Sequence, residues 1–107
     1  MSITPITIND GRLSAATYLA SPNCNLRPAD ICIDTIVIHN ISLPPNEFGA
    51  SDSDGIHYVK ALFTNQLDWE AHPYFHPIKG AEVSAHLFIE RDGTITQFVN
   101  FNERAWH

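Results

Sequence analysis

The chain has 107 residues and a mass of 12.0 kDa, which limits it to a single domain. Hydrophobic residues make up 44 % and charged residues 17 % of it, a composition that supports a packed core and not disorder. Twelve acidic and six basic side chains give a net charge of −6. This charge argues against a nucleic-acid face and against binding to an anionic membrane surface.

Targeting signals and cysteine spacing indicate which cellular compartment to expect. The first residues carry no basic region followed by a long apolar run, so no secretion signal is expected. No window approaches the ~18 apolar residues of a membrane span. Cys24 and Cys32 are not a CxxC pair, so a cysteine zinc site is not expected. Without an export signal they are expected to be reduced thiols, although a disulfide between them also fits the sequence.

Residues 1–30 are expected to form an edge strand or a covering arm, not a separate domain. Apolar and polar residues alternate at Ile3, Ile6 and Ile8, and the alternation breaks at the turn signal Asn9-Asp10-Gly11. Later prolines in this segment keep the chain extended or looped.

The stretch Asp34–Asn40 is predicted to be the strand around which the rest of the chain is organised. Three consecutive branched apolar residues, Ile36 to Ile38, predict a strand that is buried on both faces. The strand would end in His39 and Asn40, at the place where open sheets tend to bind ligands. Imidazole is a common metal ligand and proton carrier. His39 is therefore either the first element of a site or a histidine that only hydrogen-bonds its neighbours.

A loop and a short helix follow this strand. Two prolines and a glycine exclude helix or central strand over residues 41–49, and the polar loop continues to Gly55. Such a loop either contacts substrate or is a solvated connection. Ser53 or Asp54 can cap a helix that runs to about Phe63. The core-facing stripe of this helix comprises Val59, Leu62 and Phe63.

Residues 64–80 are predicted to be irregular. They contain His72 and His76 at the spacing H-x3-H, which on a helix would place two metal ligands on one face. Because a proline follows each histidine and disfavours helix before it, a zinc site here is not favoured. Tyr74 and Phe75 are expected to be core or lid aromatics.

A β-hairpin is predicted over residues 83–101. Val83–Glu90 forms one strand and Thr94–Val99 its partner, joined through Asp92-Gly93, a strong hairpin signal. His86 is expected to be a buried, hydrogen-bonded histidine, and His57 an ordinary surface or partly buried one. The chain then stops at Trp106-His107, without a helix or polar tail to close the fold.

Four strings in this sequence resemble those of AmpD-type anhydro-N-acetylmuramyl-L-alanine amidases: VIHNISLPPNEFG at 37–49, DWEAHPYF at 68–75, VSAHLFIERDGTITQFV at 83–99 and RAWH at 104–107. The resemblance extends over residues 17–107. It implies the α/β fold of zinc amidases and peptidoglycan recognition proteins, a mixed central β-sheet flanked by helices. This fold would be incomplete here, with residues 1–107 forming the N-terminal portion of a single amidase domain and the C-terminal portion absent.

The resemblance also implies a set of site residues. His39 matches the first zinc ligand and Asn40 a substrate contact beside the zinc. Tyr74 matches a tyrosine that lines the groove. Trp106 and His107 match the start of a stretch near the bound muramic acid. The family histidine that corresponds to His86 is not a zinc ligand.

Two departures from the family pattern are visible. Glu82 stands where several relatives carry an arginine, which puts the contact to the substrate's carboxylates in doubt, and Lys79 is close enough in sequence to substitute for it. The other two zinc ligands and the catalytic glutamate and lysine lie C-terminal to the A-W-H segment in the family. The chain is therefore expected to be inactive alone, and the remainder is expected to be a separate chain if it is present.

The implied activity of the parent enzyme is zinc-dependent hydrolysis of the amide between the lactyl group of anhydro-N-acetylmuramic acid and L-alanine. Its substrate would be an anhydromuropeptide, and its setting cytoplasmic peptidoglycan recycling. Two alternatives stay open: a module that binds muropeptide without cutting it, and a structural half-domain that needs a second chain.

Overall fold

A computed structural model describes residues 5–106 of the chain. Seven short strands, one α-helix and one 3-10 helix occur among these residues. In chain order they are β1 (Ile8–Asn9), β2 (Arg12–Leu13), β3 (Thr17–Tyr18), β4 (Cys24–Leu26), α1 (Tyr58–Phe63), the 3-10 helix (Pro73–Ile78), β5 (Leu87–Ile89), β6 (Ile95–Gln97) and β7 (Glu103–Ala105).

A mixed three-stranded sheet has the order β3-β6-β5. β3 pairs parallel to β6, with Thr17 opposite Thr96, and β5 pairs antiparallel to β6, with Ile89 opposite Ile95. The hairpin turn is closed by a hydrogen bond from the Gly93 N–H to the carbonyl oxygen of Glu90. The predicted hairpin is thus confirmed, although its regular strands are shorter than the sequence pattern suggested.

The N-terminal segment contributes an edge strand, as the sequence predicts, and also a two-stranded ribbon that was not predicted. β1 and β2 form an antiparallel ribbon, and β3 is an edge of the mixed sheet. The predicted turn joins β1 to β2 and contains Gly11 at φ +76°, a left-handed conformation that glycine adopts without strain. Ile3 of the predicted alternation lies outside the described residues. The antiparallel pairing of β4 with β7 was not anticipated.

The hydrophobic core gathers around α1. The predicted stripe of Val59, Leu62 and Phe63 is buried, which confirms it. Phe63 packs against Phe98 in a T-shaped contact with ring centroids 5.1 Å apart. The other buried core members are Leu43, Ala61, Leu67, Phe75 and Val99.

The predicted start of this helix is wrong. The N-cap is His57, whose Nδ1 accepts a hydrogen bond of 3.1 Å from the Val59 N–H. The Asp52 carboxylate instead accepts from the N–H groups of Asp54 and Ile56, each at 2.9 Å, and closes a separate turn. Gly55 has φ +82°, so a helix that began at residue 53 or 54 could not continue through it.

Within residues 64–80, which were predicted to be irregular, the chain forms the 3-10 helix. His72 caps it in an extended conformation, φ −155° and ψ 142°, as expected for a residue before proline. Phe75 is completely buried, whereas Tyr74 is 60 % exposed. Among the described residues, no helix is long and apolar enough to cross a membrane.

The prediction of a strand buried on both faces at Asp34–Asn40 is wrong. Residues 31–40 are irregular and exposed, with Ile36 87 % and Ile38 89 % accessible. Between positions 31 and 38, no backbone hydrogen bond to another described residue is formed. A strand is stabilised only by pairing and by packing of both faces, and residues 5–106 supply neither to this segment.

Candidate functional site

Trp106, one of the predicted site residues, is held by hydrogen bonds at its backbone and at its ring. It follows β7 directly and is half-buried. Its backbone N–H donates to Ser84 Oγ at 3.0 Å, and its indole Nε1–H donates to Asn25 Oδ1 at 3.0 Å. Ser84 N–H also donates to the Trp106 carbonyl oxygen. Hydrogen bonds to Ser84 therefore hold the main chain of Trp106, and a hydrogen bond to Asn25 holds its ring.

A buried polar network lies beneath this anchor. Ser84 Oγ donates to the Asn23 carbonyl oxygen at 2.6 Å, and both residues are almost inaccessible to solvent. The Asn23 amide donates to the Val83 carbonyl oxygen at 2.9 Å and exchanges hydrogen bonds of 2.8 and 3.0 Å with Asn65. Among the described residues, each buried side-chain nitrogen or oxygen atom finds a hydrogen-bond partner. The network links the N-terminal segment, the end of α1 and the segment before β5.

His86 has a structural role, as the sequence predicts. Its Nε2 lies 2.9 Å from the Glu103 carbonyl oxygen and 3.4 Å from Arg27 Nη2. Arg27 Nε in turn donates to the Phe101 carbonyl oxygen at 3.1 Å. These contacts tie β7 to the segment after β4 and leave His86 partly buried and hydrogen-bonded.

Both cysteines are free thiols in the structure, which agrees with the predicted reduced state. Cys24 Sγ lies 3.5 Å from Glu103 Oε2. Burial raises the pKa of the Cys24 thiol, and the adjacent Glu103 carboxylate raises it further. Cys24 is therefore a protonated, poorly nucleophilic thiol at neutral pH.

Tyr74 lies on the 3-10 helix with its ring exposed. It stacks on His72, with ring centroids 5.4 Å apart and an interplanar angle of 19°. The Tyr74 N–H donates to His72 Nδ1 at 3.2 Å, so His72 orients the tyrosine through both ring and backbone. His72 Nε2 lies 3.9 Å from Glu47, and His76 Nε2 lies 3.3 Å from Glu70.

His39 and Asn40 lie in the exposed segment. His39 Nδ1 is 3.1 Å from the Asn40 carbonyl oxygen. Among residues 5–106, no three His, Cys, Asp or Glu side chains form a group that could hold a metal ion. Catalytic zinc takes three protein ligands, so the described residues do not by themselves form the zinc site that the resemblance implies.

The structure distributes the expected site residues over three separate elements. His39 and Asn40 lie in an irregular segment, Tyr74 on a short helix and Trp106 at the end of a strand. No hydrogen bond or ring contact between described residues joins Tyr74 to Trp106. Glu82 and Lys79 are both exposed, and His107 lies outside the described residues.

Sequence reasoning missed the residues that hold Trp106. Asn25 and Ser84 are small polar residues without a motif, and Asn25 is 81 positions from the indole that it binds. The pairing of β4 with β7 brings Asn25 to Trp106, and no motif in the sequence signals that pairing.

Comparisons with known proteins agree with this architecture. The sequence profile of the family described as N-acetylmuramoyl-L-alanine amidase matches residues 28–107. The chain belongs to this amidase family. It is 46 % identical over 100 residues to 1,6-anhydro-N-acetylmuramyl-L-alanine amidase AmpD of Citrobacter freundii. The aligned residues cover 94 % of this chain and 50 % of that relative. It is 47 % identical to AmpD of Haemophilus influenzae over 94 % of this chain and 51 % of that protein.

Solved structures of the family have the same fold. A crystal structure of a selenomethionine AmpD derivative matches with a TM-score of 0.85 and 45 % identity, over 95 % of this chain and 54 % of that one. The solution structure of Citrobacter freundii AmpD matches with a TM-score of 0.56, over 95 % of this chain and 51 % of that one. The α/β amidase fold is thereby confirmed, and the amidase-family chain spans about half the length of the relatives that it matches.

Proposed function

We propose that this chain is the N-terminal portion of an amidase domain that hydrolyses anhydromuropeptides. The bond cleaved is the amide between the lactyl group of 1,6-anhydro-N-acetylmuramic acid and L-alanine. The observation that carries the proposal is an identity of 45–47 % to AmpD amidases of three bacteria over 94 % of the chain. The proposed setting is peptidoglycan recycling in the cytoplasm, with which the two free thiols are compatible.

Zinc is part of the proposal, with His39 as one ligand. The imidazole of His39 is exposed, and neutral imidazole is a common ligand for zinc. The remaining ligands would have to come from outside residues 5–106, because the described part of the chain holds no group of three ligand side chains. The chain alone is therefore proposed to be inactive.

Substrate binding is assigned to Asn40, Tyr74, Trp106 and His107. The first three are at least partly accessible, which a substrate contact requires. Trp106 and Tyr74 offer aromatic faces, and both are oriented by neighbouring polar groups. The exposed carboxylate of Glu82 would disfavour anionic stem peptides at its side of the groove, and the exposed Lys79 would favour them.

The segment Ile31–Ile38 supports the proposal of a missing portion. Its apolar side chains are exposed, Ile36 and Ile38 almost completely, although its composition is that of a buried strand. We assign the strand that pairs with it to the part of the domain that the relatives have and this chain does not span. That part would be a continuation of the same polypeptide or a separate chain.

Hydrolysis of 1,6-anhydro-N-acetylmuramyl-tripeptide tests the proposed activity. The 107-residue chain and a protein that carries the continuation would be incubated with substrate and zinc, and the products identified by mass spectrometry. We expect the anhydro-sugar and the free peptide only from the longer protein. Turnover by the homogeneous 107-residue chain would refute the incomplete-domain proposal, and inactivity of both proteins would refute the amidase proposal.

Metal content tests the role of His39. In the longer protein, His39→Ala should abolish retention of zinc after dialysis, measured by elemental analysis, because a three-ligand site loses one of its ligands. His76→Ala, at another exposed histidine, is the matched control and should retain one zinc per molecule. Retention of one zinc by His39→Ala would show that the ligand assignment is wrong.

A non-catalytic module that binds muropeptide is the alternative function. The hydrogen-bonded Trp106 favours it for the isolated chain, since residues of this chain hold both its backbone and its ring. Binding of muropeptide by the longer protein without cleavage and without zinc would favour this alternative over the amidase.

A further inference from the structure

We infer that Asn25 is a positioning residue that holds Trp106 and Arg104 together as one recognition surface for the muramyl end of a muropeptide. This inference rests on the proposed function, from which it takes Trp106 as a substrate contact. It adds a residue that orients this contact and a second group, the Arg104 guanidinium, that would bind beside it.

One amide oxygen connects the three side chains. Asn25 Oδ1 accepts from the Trp106 indole Nε1–H at 3.0 Å and from Arg104 Nε–H at 3.0 Å. A carbonyl oxygen has two lone pairs, so both donors can be satisfied at once. The indole and the guanidinium are therefore fixed relative to each other by a single acceptor.

The strand register explains this arrangement. Asn25 lies directly opposite Arg104 in the antiparallel β4–β7 pair, and directly opposed residues present their side chains on the same face. Trp106 is two residues after Arg104, so its side chain emerges on that face as well. The next pair of the ribbon, Cys24 opposite Ala105, packs against the hydrophobic core. The ribbon thus has a core face and an open face, and the open face carries the three side chains.

The open face has the chemistry to bind an amino sugar that carries an acidic peptide. The polar edge of the indole is engaged by Asn25, which leaves its apolar faces for the C–H face of a pyranose ring. Arg104 is exposed and uses only Nε in hydrogen bonds to described residues, so its two terminal nitrogens are available. They suit the carboxylate and carbonyl oxygens of the lactyl group and the stem peptide.

Substitutions at position 25 test whether the amide oxygen of Asn25 is needed to hold the two donors. Asn25→Leu keeps the branched shape of the side chain but removes the acceptor, so the indole and the guanidinium lose their common anchor. Asn25→Asp keeps an acceptor for both donors. Asn102→Leu, at an exposed turn residue whose side chain makes no hydrogen bond to a described residue, is the matched control.

The experiment is a titration of the 107-residue chain with muramyl dipeptide, followed by the NMR signal of the Trp106 indole N–H. Trp106→Phe assigns this signal against that of Trp69. Loss of one hydrogen-bond anchor predicts that Asn25→Leu raises the Kd by about fivefold and shifts the free indole signal. Asn25→Asp and Asn102→Leu should stay within about twofold of the unchanged chain.

Two results separate the failure of this inference from the failure of the proposed function. If the unchanged chain binds muramyl dipeptide and Asn25→Leu binds it equally well, the positioning role of Asn25 is wrong and the function stands. If neither the unchanged chain nor the longer protein binds muramyl dipeptide, the proposed substrate contact at Trp106 is wrong, and the inference is overturned with it. If only the longer protein binds, the same variants are compared in that protein. If Asn25→Leu fails to fold, Asn25→Ser replaces it, because its hydroxyl is one bond shorter and cannot reach both donors.

A double-mutant cycle checks that Asn25 acts through the indole. In the Trp106→Phe background, with the Kd measured by isothermal titration calorimetry, the ring has no N–H donor. Asn25→Leu should therefore raise the Kd less than it does in the unchanged chain, and the remaining effect should come from Arg104. Independent, additive effects of the two substitutions would overturn the inference, since a merely structural role of Asn25 would not depend on the donor at position 106.

Discussion

Two regions of this molecule have similar sequence character and opposite structural outcomes. The hairpin of β5 and β6 and the segment Asp34–Asn40 are both rich in β-branched residues. The hairpin pairs with β3, and Thr96, Gln97 and Phe98 are buried. The other segment has no such pairing among the described residues, and Ile36 is 87 % exposed. The difference teaches that an apolar strand sequence specifies a need for burial, which only a partner can satisfy.

The strongest test of this comparison removes one large side chain from each region. Phe98→Ala should lower the free energy of unfolding of the 107-residue chain by about 3–5 kcal/mol, because it empties a fully buried site beside Phe63. Ile36→Ala should change it by less than about 0.5 kcal/mol, because the side chain is already in water. Urea unfolding followed by circular dichroism measures both. A comparable loss in the two variants would show that the segment is buried in solution.

Glycines at similar backbone angles give a second contrast. Gly11 has φ +76° and Gly49 has φ +88°, so alanine is strained at either position. A Cβ at Gly11 would also lie 1.9 Å from Asn100 Oδ1, whereas nothing lies within 4 Å of a Cβ at Gly49. Gly11→Ala should therefore destabilise by about 2–3 kcal/mol in urea unfolding, and Gly49→Ala by about 1 kcal/mol.

Asn100 cannot move aside without losing contacts of its own. Its Oδ1 accepts from the Asn102 N–H at 2.8 Å, and its Nδ2 donates to the Asp10 carbonyl oxygen at 2.7 Å. Equal destabilisation by the two glycine variants would mean that Asn100 does yield, and that the β1–β2 turn is less tightly held than its hydrogen bonds indicate.

A third contrast concerns two serines, one in the polar network and one in the open loop. Ser84→Ala deprives the Trp106 N–H of its acceptor and the Asn23 carbonyl oxygen of its donor, and should cost about 1–2 kcal/mol. Ser53→Ala, at an exposed position without a hydrogen bond to a described residue, should cost nothing measurable. The change in Trp106 fluorescence on unfolding, read in a Trp69→Phe background, would report whether Ser84→Ala also loosens the tryptophan.

These contrasts show which parts of the fold are predictable from sequence. The hairpin turn and the core stripe of α1 depend on residues close in the chain, so local patterns predicted them. The start of α1 did not follow from a local rule, because the Asp52 turn and Gly55 compete with the expected cap. The β4–β7 pairing joins residues 79 positions apart, and no local pattern encodes such a distance.

The candidate site, like the fold, combines residues that the sequence predicts with residues that it does not predict. The resemblance of whole strings predicted the family correctly, and His39, Asn40, Tyr74, Trp106 and His107 stay predictions as site residues. Asn25 and Ser84 could not have been predicted, since each acts on Trp106 only through long-range contacts. Residues that orient a site depend on topology, whereas residues that react carry a recognisable side-chain chemistry.

The smallest expected effect is a pH dependence carried by His57. Burial lowers the pKa of this imidazole below its ordinary value near 6.5, Lys60 lowers it further, and the Glu90 carboxylate opposes the shift. The folded state therefore binds the proton more weakly than the unfolded state does. The stabilising contribution is fully present above pH 6.5 and is lost as the pH falls through the folded pKa.

The physical reason lies in the cap of α1. His57 Nδ1 must be unprotonated to accept from the Val59 N–H, and the ring packs against Phe88 with centroids 5.0 Å apart. His57→Asn keeps a good cap without a titratable group, so it should flatten the dependence of the melting temperature on pH between about 5 and 7. His76→Asn, at an exposed histidine, should leave that dependence intact. An unchanged slope in His57→Asn would assign the titration to another group.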